Sequence, residues 1–167
     1  MRLFESLAEV SGDAIVIAEL DGLEIVYANP AAHRLFVCDP DRREMLGQPG
    51  SRFWPEEDWS ILEALVPQAL TSGWSGDVRQ RRLDGTLFDA NATVFALPVS
   101  DQGPAHVVAM IRDISERKRI ETALKLTQFA MDRSADAVYL MDPGACFLYV
   151  NDAVCRSLGY RREEMLG

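Results

Sequence analysis

The chain has 167 residues, 48% of them hydrophobic, with a formal net charge of −9 and three cysteines. This is enough apolar material for one full domain with an appendage, and the acidic balance argues against a phosphate-backbone grip on nucleic acid, which needs clustered Lys and Arg. No apolar run approaches the roughly 18 residues of a membrane span, no signal-peptide pattern opens the chain, and Cys38, Cys146 and Cys155 lack metal-ligand spacing, so reduced thiols in a cytoplasmic chain are expected.

Residues 2–10 (RLFESLAEV) carry apolar residues on one helical face. Residues 14–19 and 23–28 are β-rich runs on either side of Leu20-Asp21-Gly22, and Asp-Gly between apolar runs signals a hairpin. Asn29-Pro30 then places an N-cap before a proline at the first helical position, predicting a short helix over 30–36. Short turns and helical pieces follow around Gly47, Gly50 and Pro55. Residues 57–70 are helical in pattern, but Pro67 should kink or end that helix. Residues 74–82, 86–97 and 106–111 read as three strands linked by Asp84-Gly85 and Gln102-Gly103-Pro104. Two strands, several helices and three hairpin-linked strands make an α+β domain on one antiparallel sheet, with helices on one face. From Ser115 to Arg133 a helix is predicted, its apolar stripe formed by Ile120, Leu124, Thr127 and Met131. The stripe is short for a sustained coiled coil. Two readings stay open: a solvated linker helix, or a short parallel dimer seam shared with residues 2–10.

The segment 11–47 returns in shortened form over 134–167: SGDAIVIAELDGLEIVYANP against SADAVYLMDPGACFLYVND, then REMLG against REEMLG. Asn29 corresponds to Asn151. A repeat fixes where the units lie, giving a unit over 1–114, a connecting helix over 115–133, and the opening part of a second unit over 134–167.

The first unit resembles a PAS domain, the sensory module of many bacterial signalling proteins. The carriers are Asp13-Ala14, the passage from Val26 to Ala32, Glu44-Met45-Leu46-Gly47, Trp74-Ser75-Gly76, the run from Arg81 to Thr86, and the closing Arg112-Asp113-Ile114-Ser115-Glu116-Arg117-Lys118. Residues 134–167 resemble the start of a second PAS domain. The resemblance implies a five-stranded antiparallel sheet and a sensory and dimerisation role in signal transduction. The signal would leave through the last strand, Asp113, Ile114 and Ser115 into the 115–133 helix. The output domain, a histidine kinase or a cyclic-dinucleotide enzyme of a two-component or related system, would lie outside this chain. Asp113 has a second reading, compatible with the first, as a plain helix cap.

Alternation on the fourth strand puts Phe88, Ala90, Ala92 and Val94 on one face, and the fifth adds Val107, Ala109 and Ile111. With Trp74 these are the expected lining of a ligand pocket, unless helix side chains fill the space and leave a ligand-free scaffold for protein–protein contact. The cofactor is open, with none the leading expectation. LOV-type FMN chemistry is disfavoured, because Gly50-Ser51-Arg52-Phe53 holds a hydroxyl where those domains carry a reactive cysteine. The places of their flavin-binding amides read Gln80, Ala90 and Ile111. Haem is disfavoured because the helix before the third strand has no histidine; His33 and His106 are expected at a surface or edge. An FAD-binding redox sensor remains a second alternative, on the likeness of Trp74-Ser75-Gly76 and the 109–115 ending. No catalytic constellation and no metal site is evident, so the chain is not expected to be an enzyme. Glu56-Glu57-Asp58 and Arg79, Arg81 and Arg82 are expected to be solvated.

Overall fold

The structure, a computed structural model, describes residues 7–39, 44–97 and 106–166. The chain divides into two compact units, Met1–Glu116 and Arg117–Gly167. The turn expected at Gln102-Gly103-Pro104, and most of the N-terminal helix, fall outside the described residues; residues 7–10 are helical.

The first unit is one five-stranded antiparallel sheet: β1 (Ala14–Glu19), β2 (Ile25–Ala28), β3 (Trp74–Arg81), β4 (Leu87–Leu97) and β5 (His106–Asp113). The strand order is β2-β1-β5-β4-β3. The last strand therefore lies in the middle, paired on one side with β1 (Ala14 opposite Ile111) and on the other with β4 (Ala92 opposite Ile111). The β1–β2 hairpin turns at Gly22, whose φ of +79° is a conformation that a side chain would strain. The connection from β2 to β3 carries α1 (Pro30–Phe36), two 3-10 turns (Gly50–Phe53 and Glu56–Asp58) and α2 (Trp59–Thr71).

Pro67 does not end α2, which runs on to Thr71. A proline in the third turn frees the carbonyl of Glu63, and both residues lie on the exposed side. Water can satisfy that carbonyl, so the helix survives.

Asn29 is wholly buried and makes four bonds. Its Oδ1 accepts from the backbone N–H groups of Ile15 and Ala32, both at 2.9 Å, and its Nδ2 donates to the carbonyls of Ala8 (2.8 Å) and Asp13 (3.0 Å). One side chain thus fastens residues 7–10, the start of β1 and the start of α1. On the inner face of the sheet, Val16, Val78, Ala92, Val94, Val107 and Ile111 pack with Phe36, Met45, Phe53, Trp54 and Leu65. A smaller cluster of Ala8, Ile15 and Val108 covers part of the outer face.

The second unit begins within α3 (Ser115–Arg133), none of whose residues is buried. It continues with β6 (Tyr139–Met141), β7 (Phe147–Val150), α4 (Asp152–Leu158) and α5 (Arg162–Met165). Asn151 repeats the Asn29 pattern bond for bond. Its Oδ1 accepts from Val138 and Val154, and its Nδ2 donates to the carbonyls of Met131 and Asp136. The unit has two strands among the described residues where the first has five, and Tyr139, Leu140, Leu148 and Leu158 stand more than half exposed.

Candidate functional site

Between the inner face of the sheet and the helices lies a cavity of about 80 Å³. It exists because β4 and β5 place alanines, Ala92 and Ala109, where larger side chains would reach the helices. Val94, Val107 and Ile111 complete the sheet side, and Phe36, Phe53, Trp54, Leu62 and Leu65 the helix side. Among the described residues, no charged side chain lines it.

Three expected lining residues lie elsewhere. Phe88 is buried against Phe36, ring centroids 5.7 Å apart, with the Arg82 guanidinium 4.3 Å from its ring centre. Ala90, on the same face of β4, is fully buried but beyond the cavity. Trp74 turns its indole back along its own strand: a Cβ added at Gly76 would lie 2.7 Å from the ring. This accounts for the Trp-x-Gly spacing as local packing.

One residue that the sequence pointed to only as a counterpart of a flavin ligand is central here. Gln80 lines the cavity, is 3% exposed, and its Oε1 accepts no hydrogen bond. Burying such a group unpaired costs about 1–3 kcal/mol. Strand alternation with Val78 carries it inward, while Asp77 and Arg79 face out. Ser51, the residue in place of the LOV cysteine, sits in the 3-10 turn Gly50–Phe53, whose Gly50 and Phe53 touch the cavity.

The exit from β5 is built of side-chain bonds. Asp113 Oδ1 accepts from the Ser115 N–H at 2.8 Å, holding the first residue of α3. Ser115 Oγ accepts from the Asp89 N–H at 3.0 Å, and the Ile114 N–H donates to the Asp89 carbonyl at 2.9 Å. Arg82 donates to Asp113 Oδ2 at 2.7 Å and also to the Leu35 carbonyl. Burial would raise the Asp113 carboxyl, but the bonds from Ser115 and Arg82 outweigh it and hold it below the usual value. The exit is thus tied to β4, to the end of β3 and to the end of α1.

The basic cluster lies at the surface as expected, but its members are partnered. Arg79 makes a two-pronged pair with Asp58, both bonds 3.1 Å, and Arg81 donates to the Arg52 carbonyl. Asp58 in turn is 8% exposed, so the acidic run is partly internal. His33 is half-buried, and loss of hydration lowers its pKa, while His106 opens β5. Among the described residues, no three His, Cys, Asp or Glu side chains gather as a metal site would require.

Of the α3 stripe, Ile120 and Leu124 are 62% and 58% exposed. Thr127 spends its hydroxyl on the Ala123 carbonyl of its own helix, and Met131 offers its carbonyl to Asn151.

A sequence profile of the PAS domain matches residues 12–116 and 135–167. No curated protein matches the chain. Among solved structures, a PAS domain from Colwellia psychrerythraea superposes with a TM-score of 0.62 at 20% identity, covering 69% of this chain and 97% of that one. An RNA-binding light-oxygen-voltage receptor gives 0.60 at 21% identity, over 77% of this chain and 36% of its own. A PAS domain from a two-component sensor histidine kinase gives 0.55 at 16%, over 67% and 94%. At such identities the likeness is one of fold.

Proposed function

This chain belongs to the PAS domain family, the sensory modules of signalling proteins, and on that premise we propose that its first unit is an input module. A small molecule in the cavity shifts β5, and Asp113, Ile114 and Ser115 carry the shift into α3. The observation that carries this reading is one of connectivity. The strand whose Val107, Ala109 and Ile111 line the cavity is the central strand, and its last residue caps the helix. Ile111 at the cavity and Asp113 at the helix start are only two residues apart on that strand.

The output domain is a histidine kinase or a cyclic-dinucleotide enzyme outside this chain, and these residues are not themselves catalytic. Two copies pair along α3, where Ile120 and Leu124 stand exposed with no cover in their own unit. The hairpin of the second unit, with its exposed Leu140 and Leu148, is then stabilised by association. No cofactor is assigned. A cavity of about 80 Å³ falls well below the roughly 300–1,000 Å³ of sites for larger ligands, so a flavin or haem would need a much expanded core.

The test is amide hydrogen exchange across residues 115–122 of the full chain, with and without Ala92→Leu, which fills the cavity from β4 without touching the exit. Altered protection in the first turns of α3, abolished when Asp113→Ala is added, is the expected result. Unchanged protection in a folded Ala92→Leu protein would leave a ligand-free scaffold as the correct reading.

A further inference from the structure

The Gln80 oxygen has a consequence for what the cavity holds. Its Oε1 is buried and accepts nothing. Among the described residues, the other side chains around the cavity are aliphatic or aromatic, with the thioether of Met45. An ordered water is a poor remedy, since a buried water seeks two to four polar partners and such walls offer few. A ligand that brings one donor and covers the rest with apolar surface satisfies both demands together. An ionic ligand does not, because no charged side chain among the described residues lines the site and an unpaired buried charge is far costlier than a hydroxyl.

Size narrows the class. An apolar cavity of about 150 Å³ takes benzene, so one of about 80 Å³ takes a molecule of roughly three to four non-hydrogen atoms. We infer that the chain binds a small, neutral, mostly apolar molecule carrying one O–H or N–H group, of the size of a two- or three-carbon alcohol, and that Gln80 Oε1 accepts from that group. This rests on the sensory reading given above and specifies its ligand. Ala92 and Ala109 set the volume and Gln80 sets the polarity.

Three probes of nearly equal shape separate the contributions: propan-1-ol, methoxyethane and 1-chloropropane, titrated calorimetrically into the full chain. Propan-1-ol, the only donor, is expected to bind roughly fivefold tighter than the other two, the ordinary net worth of one hydrogen bond. It should also shift the side-chain amide signals of Gln80 in nitrogen-15 NMR spectra. Gln80→Leu should bind propan-1-ol and 1-chloropropane equally. Gln80→Met, closer in shape, guards against a folding defect and should behave the same way. If 1-chloropropane or methoxyethane matches propan-1-ol in the parent protein, or if Gln80→Met keeps the preference for propan-1-ol, the assignment to Gln80 is wrong although the cavity still binds. Failure of all three probes to bind overturns the ligand class. The exchange experiment with Ala92→Leu then decides separately whether the cavity communicates with α3.

Discussion

Replacing Asn29 by alanine removes four hydrogen bonds from a site with no access to water. Each is worth about 0.5–1.5 kcal/mol net, so the loss should be about 2–6 kcal/mol, with 3–4 a fair centre. Helix capping alone would account for only about 1 kcal/mol of this. Against a typical total of about 5–15 kcal/mol, the first unit should be left marginal. In urea, with a slope near 1.5 kcal/mol per molar, the midpoint of its transition should fall by about 2 M. Asn29→Asp is the discriminating control. Aspartate caps helices as well as asparagine does, and its oxygen could still accept from Ile15 and Ala32. It cannot donate to the carbonyls of Ala8 and Asp13, and it sets a second acceptor against them. Aspartate should therefore fail to rescue. If Asn29→Asp unfolds at the same urea concentration as the parent, the two donated bonds contribute nothing and the reasoning collapses to a simple cap.

Ala90→Leu and Ala92→Leu, two residues apart on one face of β4, should part company: the first overpacks a filled site and costs about 1–3 kcal/mol, whereas the second extends into the cavity and should leave the melting temperature nearly unchanged. Asp113 has a folded-state pKa below its ordinary 3.8, so its contribution is complete above that value and is lost as pH falls through the folded one. Thermal unfolding followed from pH 6 to pH 2.5 should accordingly show a shallower acid decline for Asp113→Asn than for the parent, and an equal or steeper decline would contradict the assignment. Burial pushes the Cys38 thiol up to about 11, while Cys146 is exposed. Mass mapping after iodoacetamide at pH 8 should find Cys146 modified at least about tenfold faster, and comparable rates would mean that Cys38 is not enclosed.

Local rules reached far into this fold. Asp21-Gly22 marked the first hairpin, Asn29-Pro30 the start of α1, and alternation the inner face of β4. What alternation could not provide was position along the face. Phe88, Ala90, Ala92 and Val94 all point inward, yet only the last two meet the cavity, because Phe36 of α1 occupies the space over Phe88. That choice belongs to the helices and is not written in the strand. Gln80 was readable: it alternates with Val78, and a lone amide on an apolar face is a signal. The partnerships of Arg79 with Asp58 and of Arg82 with Asp113 join residues distant in sequence. No periodicity reports them, so their charges looked free. Pro67 shows the limit of a breaker rule, which assumes that the orphaned carbonyl has nowhere to go.

Asn151 reaches the Met131 carbonyl as Asn29 reaches that of Ala8. The last turn of α3 thus stands to the second unit as residues 7–10 stand to the first, while the first turn of α3 is held by Asp113. One helix is both the closing element of one module and the opening element of the next, so no cut separates them cleanly. A chain ended before Ser115 leaves the Asp89 N–H without the hydroxyl it donates to, and one begun after Met131 leaves Asn151 short of a carbonyl that its amide donates to. The boundary between the repeats is therefore a shared segment and not a point: each copy, to be whole, has to carry its own end of that helix.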